Sequence, residues 1–266
     1  MERFFINEMT TEEVKKALKK TDIAIIPFGS TEQHSKHLPL GTDSIITNEI
    51  TKKVAEKINK EFPVLVAPLI SIGKSIEHMA FDGTITFQRE TLANIVLDIS
   101  RSLIKHGLKK IVLINGHGGN TRLLGDLLKD IRYETGAFVS LIDLWSPALL
   151  HDVLKKITDI KKCEVFHAGL LETSFMMLLR PDLVHEDKIQ NGPPHRFTEE
   201  SGFKYHKLIG SKLGGFSWLT KDVTKSGIIG DPTKATKEIG ETVLNYAVDE
   251  ICDILREVKS LKVDYK

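Results

Sequence analysis

The sequence predicts an α/β protein whose sheet is mainly parallel and covered by helices on both faces. Apolar runs typical of buried strands alternate with amphipathic segments along the first 144 residues. This β-α-β-α order favours a parallel sheet, because each crossover helix packs back on a face of the sheet before the next strand begins. No internal repeat or linker interrupts the 266 residues, so we expect a single domain over 1–266.

Four short apolar runs are predicted to be the strands. In chain order they cover 22–28, 63–70, 110–116 and 137–144. Aliphatic residues dominate each run, as in strands that are buried on both faces of a parallel sheet. Gly116 ends the third run.

The helices are predicted from capping residues and from apolar spacing. The first covers 11–20, the second follows Asp43, and the third covers 89–106. The fourth runs from Asn120 or Thr121 to 134, the fifth begins near 167, and the last covers 232–259. Thr10 or Thr11 can cap the first helix. The second carries Ile residues at four-residue spacing, from Ile46 to Ile58. Pro232 suits the first position of the last helix.

The region 181–231 differs from the rest of the chain. It is rich in Gly, Pro, His and Lys and has weak periodicity, which predicts an elaborated loop region over the sheet, in the manner of a lid.

The composition excludes several classes of partner. With 37 basic and 36 acidic residues, the net charge of +1 predicts neither a nucleic acid nor an anionic membrane as partner. The first residues contain no long apolar segment, so we expect no signal peptide, and no apolar run is long enough to predict a membrane span. Cys163 and Cys252 form no C-x-x-C motif, so we expect a cytoplasmic protein without a disulfide framework.

Two polar, glycine-containing loops follow predicted strands. They are GSTEQHSKHLPLGTD at 29–43 and NGHGGN at 115–120. Ligands of a parallel sheet bind beyond the carboxyl ends of its strands. Both loops leave at that end, so we expect them to converge on one crevice.

These loops carry side chains that bind divalent metals. Carboxylates and imidazoles suit ions such as Zn, Mn or Fe. The segment HAGLLETS at 167–174 adds further candidates. Five residues are predicted metal ligands: Glu32, His34, Asp43, His117 and Glu172. They are enough for two ions if Asp43 bridges them, and a two-metal centre can polarise a carbonyl and generate hydroxide near neutral pH.

Such chemistry suits hydrolysis of an amide C–N bond. His167 is then the candidate that carries a proton to the leaving nitrogen, and His167 and Glu172 are the predicted catalytic residues. A small-molecule binding protein without chemistry is the alternative class, although G-x-G-x-x-G and Walker A motifs are absent. Serine catalysis through Ser30 is a further alternative, although no G-x-S-x-G motif is present.

The sequence resembles the creatininase (creatinine amidohydrolase) family. Five segments match in family order: PFGSTEQHSKHLPLGTD at 27–43, HMAFDGTIT at 78–86, NGHGGN at 115–120, HAGLLETS at 167–174 and GIIGDPTKAT at 227–236. The resemblance implies a three-layer α/β/α fold and a metal-dependent amidohydrolase with two divalent ions per subunit. It also implies homo-oligomers, either hexamers built as trimers of dimers or dimers.

The resemblance also implies roles for individual residues. Glu32, Asp43 and His117 would bind one metal. His34 and Asp43 would bind the second with one further acid, and His167 would transfer the proton.

This chain departs from family members that act on creatinine, in which an aromatic residue and then an acid follow the motif histidine. Gly118 and Gly119 occupy those positions here, so Glu172 becomes the candidate for the second acid. The glycine pair is expected to leave room for a larger substrate. Four residues are predicted to contact the substrate: His78, Trp145, Gly118 and Gly119. His78 could instead be a surface histidine, and Trp145 an anchor at a strand end.

The resemblance leaves three candidate substrates for this protein. They are creatinine, a peptide of the mycofactocin type, and 2-amino-5-formylamino-6-ribosylaminopyrimidin-4(3H)-one 5'-monophosphate, which an archaeal deformylase hydrolyses. The glycine pair disfavours creatinine. Five basic residues could meet a phosphate and favour the deformylase: Lys204, His206, Lys212, Lys221 and Lys225.

Overall fold

The computed structural model describes residues 3–157, 165–198, 201–202, 205–206, 208 and 216–262. Within these residues, four parallel strands form one sheet in the order β2-β1-β3-β4. They are β1 (Ile23–Phe28), β2 (Leu65–Val66), β3 (Lys110–Asn115) and β4 (Phe138–Asp143). The parallel sheet predicted from the β-α-β-α order is confirmed.

Strand β2 is much shorter than the predicted run 63–70. It lies at an edge of the sheet, where only Leu65 and Val66 pair with β1. Pro68 has no N–H group to donate, so the ladder cannot continue through it. The chain returns to β1 at Ile70, whose N–H donates to the Pro27 carbonyl at 3.0 Å.

Helices cover both faces of the sheet. They are α1 (Thr11–Ala17), α2 (Thr42–Ile58), α3 (Arg89–Lys105), α4 (Thr121–Thr135), α5 (Pro147–Lys156), α6 (Leu170–Leu179), α7 (Thr220–Val223) and α8 (Lys237–Ser260). Ile23 and Ile25 of β1 pack in one core with residues of α2, α6 and α8. Ala24 and Ile26 pack in a second core with residues of α3 and α4. This alternation confirms the three-layer α/β/α prediction.

Threonine side chains cap the first turns of α1 and α8. Thr10 caps α1 in a capping box with Glu13. The predicted start of the last helix at Pro232 is wrong, because Asp231 and Pro232 open a separate 3-10 turn over Pro232–Lys234. Helix α8 begins at Lys237 instead, where the Thr236 side chain accepts from the Ile239 N–H group. Asp231 and Thr236 are both capping residues, and the long apolar stripe of the helix begins only after Thr236.

The loop-rich region contains short turns at Pro181–Leu183 and Glu186–Lys188 and the short helix α7. Lys204, Lys212 and Cys163 lie outside the described residues, while Cys252 is buried with a free thiol. Among the helices that the structure describes, none is both long and apolar enough to cross a bilayer.

Candidate metal centre

The two polar loops meet at the carboxyl end of the sheet, as predicted. Phe28 pairs with Asn115, and the Gly116 N–H group donates to the Phe28 carbonyl at 2.8 Å. The Asn120 side chain then donates to the Gly29 carbonyl at 3.1 Å and ties the loops together. Gly29 is needed here, because a Cβ atom at this position would lie 2.6 Å from the Ser44 Cα.

A first group of ligand atoms consists of Glu32, Asp43 and His117. His117 Nδ1 lies 3.2 Å from Glu32 Oε2 and 3.2 Å from Asp43 Oδ2. The three ligand atoms lie within 4.8 Å of one another, and all three residues are buried. Such a group can hold a divalent ion.

A second group consists of His34, Asp43 and Glu172. His34 Nε2 lies 3.2 Å from Asp43 Oδ1 and 3.7 Å from Glu172 Oε2. These residues are also buried, and their ligand atoms likewise lie within 4.8 Å of one another. Asp43 thus belongs to both groups and contacts the imidazole of each group through a different oxygen, as a bridging carboxylate would.

Backbone carbonyls orient both imidazoles. His34 Nδ1–H donates to the Glu32 carbonyl at 3.1 Å, and His117 Nε2–H donates to the Lys74 carbonyl at 3.1 Å. A carbonyl only accepts, so in the neutral form of each ring the other nitrogen is the unprotonated one and keeps its lone pair. Those lone pairs face the carboxylates, and this arrangement is typical of histidine ligands to metals.

Two buried atoms support a cation at this centre. Among the described residues, His34 Nε2 and Asp43 Oδ2 have no hydrogen-bond partner, although each lies 3.2 Å from an atom of the cluster. Buried polar atoms rarely stay unsatisfied without a function. Imidazole nitrogens and carboxylate oxygens together suit Zn, Mn or Fe, so the residues fit the ions that the sequence predicts.

Glu172 approaches the centre from the first turn of α6. Its Oε2 accepts from the Ala168 N–H group at 2.6 Å. Ala168 has a φ of 49°, in the left-handed region, and this turn directs its N–H group at the carboxylate.

His167 lies beside the centre. Its Nδ1 is 3.7 Å from Glu32 Oε1, and its Nε2 contacts the Gln33 carbonyl at 2.9 Å. It also forms a third group of possible ligands with Glu32 and His34. A role in proton transfer and a role as ligand are therefore both compatible with its position.

A cavity of about 390 Å³ opens above the cluster and is lined in part by the four residues predicted to contact substrate. His78 is 4% exposed and lies 3.4 Å from Glu32 Oε1, so the surface alternative is wrong. Trp145 lines the cavity and also donates from Nε1 to the Gly116 carbonyl at 2.7 Å, which makes it an anchor as well.

The space beside the two glycines differs from the prediction. A Cβ atom at Gly118 would meet nothing within 4 Å, so that side is open. A Cβ atom at Gly119 would lie 2.3 Å from the Lys74 carbonyl oxygen and 2.7 Å from Glu77 Oε1. The expected room at Gly119 is therefore already filled, because the turn at 74–77 packs against it.

The family model described as creatinine amidohydrolase matches residues 7–255 of the chain. The chain belongs to the creatininase family. A creatinine amidohydrolase of Pseudomonas putida is 27% identical over 269 residues, which cover 95% of this chain and 96% of the relative. A mycofactocin precursor peptide peptidase of Mycolicibacterium smegmatis is 31% identical over 236 residues, which cover 88% of this chain and 84% of the relative.

A more distant relative of this creatininase-family protein is the 2-amino-5-formylamino-6-ribosylaminopyrimidin-4(3H)-one 5'-monophosphate deformylase of Methanococcus maripaludis. It is 26% identical over 231 residues, which cover 86% of this chain and 90% of the relative. A solved structure described as "Creatininase Mn" has a TM-score of 0.75 and 27% identity over 95% of this chain and 97% of its own. A creatininase variant described as the Zn-Zn type has a TM-score of 0.74 and 28% identity over the same shares.

The pKa values in this creatininase-family centre reflect an excess of buried carboxylates. Burial alone would lower the pKa values of His34 and His117, but the adjacent carboxylates outweigh it and raise both well above the ordinary value. Burial would likewise raise the pKa of Glu32, but His117 and His78 outweigh it and hold that pKa well below its usual range. Without metal, protons on the two imidazoles balance the carboxylates.

We therefore expect metal binding to release protons. His34 and His117 must be neutral to bind a cation, and their pKa values are raised in the metal-free protein. Metal affinity should rise with pH until those raised pKa values are passed, with about two protons released per chain at neutral pH. Titration calorimetry with Zn²⁺ in two buffers of different ionisation enthalpy measures this number. Identical heats in both buffers would contradict it.

Three residues that line the cavity or lie beside the proposed ligands were not predicted from the sequence. Glu77 lines the cavity next to His78, and Trp218 lines it from the loop-rich region. Gln33 lies between Glu32 and His34 and contacts two other histidines. For Gln33 and Glu77 the only sequence signal was adjacency to motif histidines.

The predicted phosphate contacts have less support. Of the five basic residues, His206, Lys221 and Lys225 lie in the part of the chain that the structure describes, and none of these three lines the cavity.

Proposed function

We propose that this protein is a divalent-metal-dependent amidohydrolase that cleaves an amide C–N bond of a small molecule. The proposed ligands are Glu32, His34, Asp43, His117 and Glu172. The observation that carries the proposal is the position of Asp43, which directs one oxygen at the imidazole of each of two buried ligand groups beneath a cavity. Membership of a family that includes amidohydrolases adds independent support.

Different residues of the chain have different roles in the proposed hydrolysis. When bound, the ions supply Lewis acidity that polarises a carbonyl and lowers the pKa of water. The walls of the cavity hold the substrate above the carboxylates. Burial lowers the pKa of His167, so its imidazole is neutral and can accept a proton from water at Nδ1. The same nitrogen then returns the proton to the leaving amine.

The cavity also suggests a substrate class. Its walls include the aromatic side chains of Trp145, Phe166 and Trp218, together with the carboxylate of Glu77. Lys74 Nζ lies 4.0 Å from Glu77 Oε2, which is a loose pairing that leaves Glu77 able to accept from a ligand. Aromatic faces with one carboxylate suit a flat heterocycle that carries N–H donors. The formylamino-pyrimidine ribotide and creatinine both have such a ring, and the ribotide remains our leading candidate.

Peptide cleavage is the second candidate function. It is favoured by the 31% identity to the mycofactocin precursor peptide peptidase over 88% of this chain, against 27% for the creatinine amidohydrolase over 95% and 26% for a deformylase over 86%. The open side of Gly118 would admit a longer chain.

One experiment separates these functions. Protein purified without added metal is analysed for metal, and hydrolysis of creatinine, the ribotide and a short peptide is then assayed with Mn, Zn or Fe restored in turn. We expect about two ions per chain and turnover of one compound. Absence of metal under every condition would overturn the proposal and favour the non-catalytic binding protein.

Substitution of Glu77 tests the substrate class. Glu77→Gln keeps the size of the side chain and removes its charge, so a charge-assisted hydrogen bond to a substrate N–H group is weakened. We expect kcat/KM for an N–H-bearing heterocycle to fall by about 10- to 100-fold, mainly through KM, with metal content unchanged. Glu12→Gln, on the exposed face of α1, is the control. An unchanged KM would exclude Glu77 from substrate recognition.

A further inference from the structure

The side chain of Gln33 lies in contact with two histidines of the site. Gln33 is 4% exposed. Its Nε2 lies 2.9 Å from His78 Nδ1 and 2.9 Å from His167 Nε2. A buried amide must satisfy both its donors and its acceptor, so its contacts constrain the rings around it.

Two backbone groups determine which end of the amide is which. Gln33 Oε1 accepts from the Ser35 N–H group at 3.0 Å, and Gln33 Nε2 donates to the Gly227 carbonyl at 3.1 Å. Each backbone partner has only one role, so the flipped amide would lose both bonds. Gly227 has a φ of +83°, and a Cβ atom there would lie 2.1 Å from Gln33 Oε1, so only glycine lets the loop approach the amide.

The second hydrogen of the amide determines the state of His78. One amide hydrogen goes to the Gly227 carbonyl, and His167 Nε2 contacts the Gln33 carbonyl, to which it can only donate, so the other amide hydrogen goes to His78 Nδ1. The His78 ring therefore carries its proton on Nε2. That Nε2–H points towards Glu32 Oε1 at 3.4 Å. The Thr220 hydroxyl also lies 3.1 Å from His78 Nδ1 and could accept from that nitrogen if the amide were absent.

The backbone of the same residue determines the state of His167. The Gln33 carbonyl lies 2.9 Å from His167 Nε2 and can only accept, so the proton of this ring is on Nε2. His167 Nδ1 then keeps its lone pair on the side of Glu32, at 3.7 Å from Oε1. This is the nitrogen that a proton-transfer role requires.

We propose that Gln33 is a positioning residue that selects the Nε2–H form of His78 and so holds the Glu32 carboxylate in place for the cation. Without the amide donor, His78 can move its proton to Nδ1 and donate to Thr220. Its Nε2 lone pair would then face Glu32 and repel it. The kinetic part of the inference rests on the proposed amidohydrolase function, and the state of the ring does not.

The test combines NMR of the histidine rings with kinetics. Protein labelled with [15N]histidine is measured as purified, after exchange of any paramagnetic ion for Zn²⁺, and His78→Asn identifies the His78 signals. We expect the Nε2–H form of His78 in the unmodified protein and a substantial Nδ1–H population in Gln33→Met and Gln33→Glu. Turnover should fall by about 10- to 100-fold with KM little changed, as for other groups that orient metal ligands.

Ser35→Ala is the matched control. Ser35 lies in the same loop, its hydroxyl has no partner among the described residues, and its N–H bond to Gln33 survives the change. We expect unchanged ring signals and turnover. Gln33→Glu keeps the size of the side chain and the Ser35 bond, so it serves if Gln33→Met does not fold. The same His78 tautomer in the unmodified protein and both variants would overturn the inference, whether or not any amide is hydrolysed.

Discussion

Asp43→Asn is expected to remove both cations and to abolish amide hydrolysis. Asp43 directs Oδ1 at His34 and Oδ2 at His117, so a single carboxylate serves both ligand groups. Asparagine keeps the shape of the side chain but replaces an anionic oxygen by an NH₂ group, which cannot bind a cation. We expect metal content to fall from about two ions per chain to near zero, with affinity at each site lowered by at least about 100-fold.

Metal analysis and titration calorimetry of purified variants measure this effect. Glu172→Gln is the informative comparison, because Glu172 belongs only to the group with His34 and Asp43. It should lower occupancy at one site and leave the other. Asp130→Asn, on the exposed side of α4, is the control. Two ions per chain in Asp43→Asn would show that Asp43 is no bridge, and equal loss at both sites in Glu172→Gln would contradict the assignment of Glu172.

His167→Ala is expected to keep the metals and to lower kcat by about 10²- to 10⁴-fold, the range for one general acid–base group. His167 Nδ1 lies on the cavity side of the cluster, 3.7 Å from Glu32 Oε1, and its lowered pKa leaves it neutral. Alanine removes that base and leaves the five proposed ligands in place. Single-turnover kinetics with metal analysis of the same sample measure both quantities.

His106→Ala provides the control for His167→Ala, because His106 is exposed at the end of α3. Loss of one ion in His167→Ala would instead make His167 a ligand of the group it forms with Glu32 and His34. Full activity with both ions retained would exclude it from proton transfer.

Local sequence patterns predicted the layers of the fold well and its boundaries less well. Strands β1, β3 and β4 fall inside the predicted runs, because their aliphatic residues record burial directly. Strand β2 was overestimated, because the apolar residues Pro68, Leu69 and Ile70 extend the predicted run although none of them is fully buried or pairs regularly with β1. Helix α5 was not predicted, although Ser146 and Pro147 are a capping residue and a first-turn proline.

The sequence by itself determined which residue types meet at the carboxyl end of the sheet. Glu32 and Asp43 follow β1, His117 follows β3, and parallel strands deliver the residues that follow them to the same edge of the sheet. Chain connectivity alone therefore predicts their proximity.

Only the tertiary structure decided the details that give these residues their chemistry. Packing of α6 brings Glu172 to the centre, the turn at 74–77 fills the space beside Gly119, and the Gly227 loop orients the Gln33 amide. These contacts join segments that are distant in sequence, and shifts of a few tenths of an ångström would alter them. Periodicity and motif spacing report which face of an element is buried, but the direction of a lone pair depends on every neighbour that surrounds it.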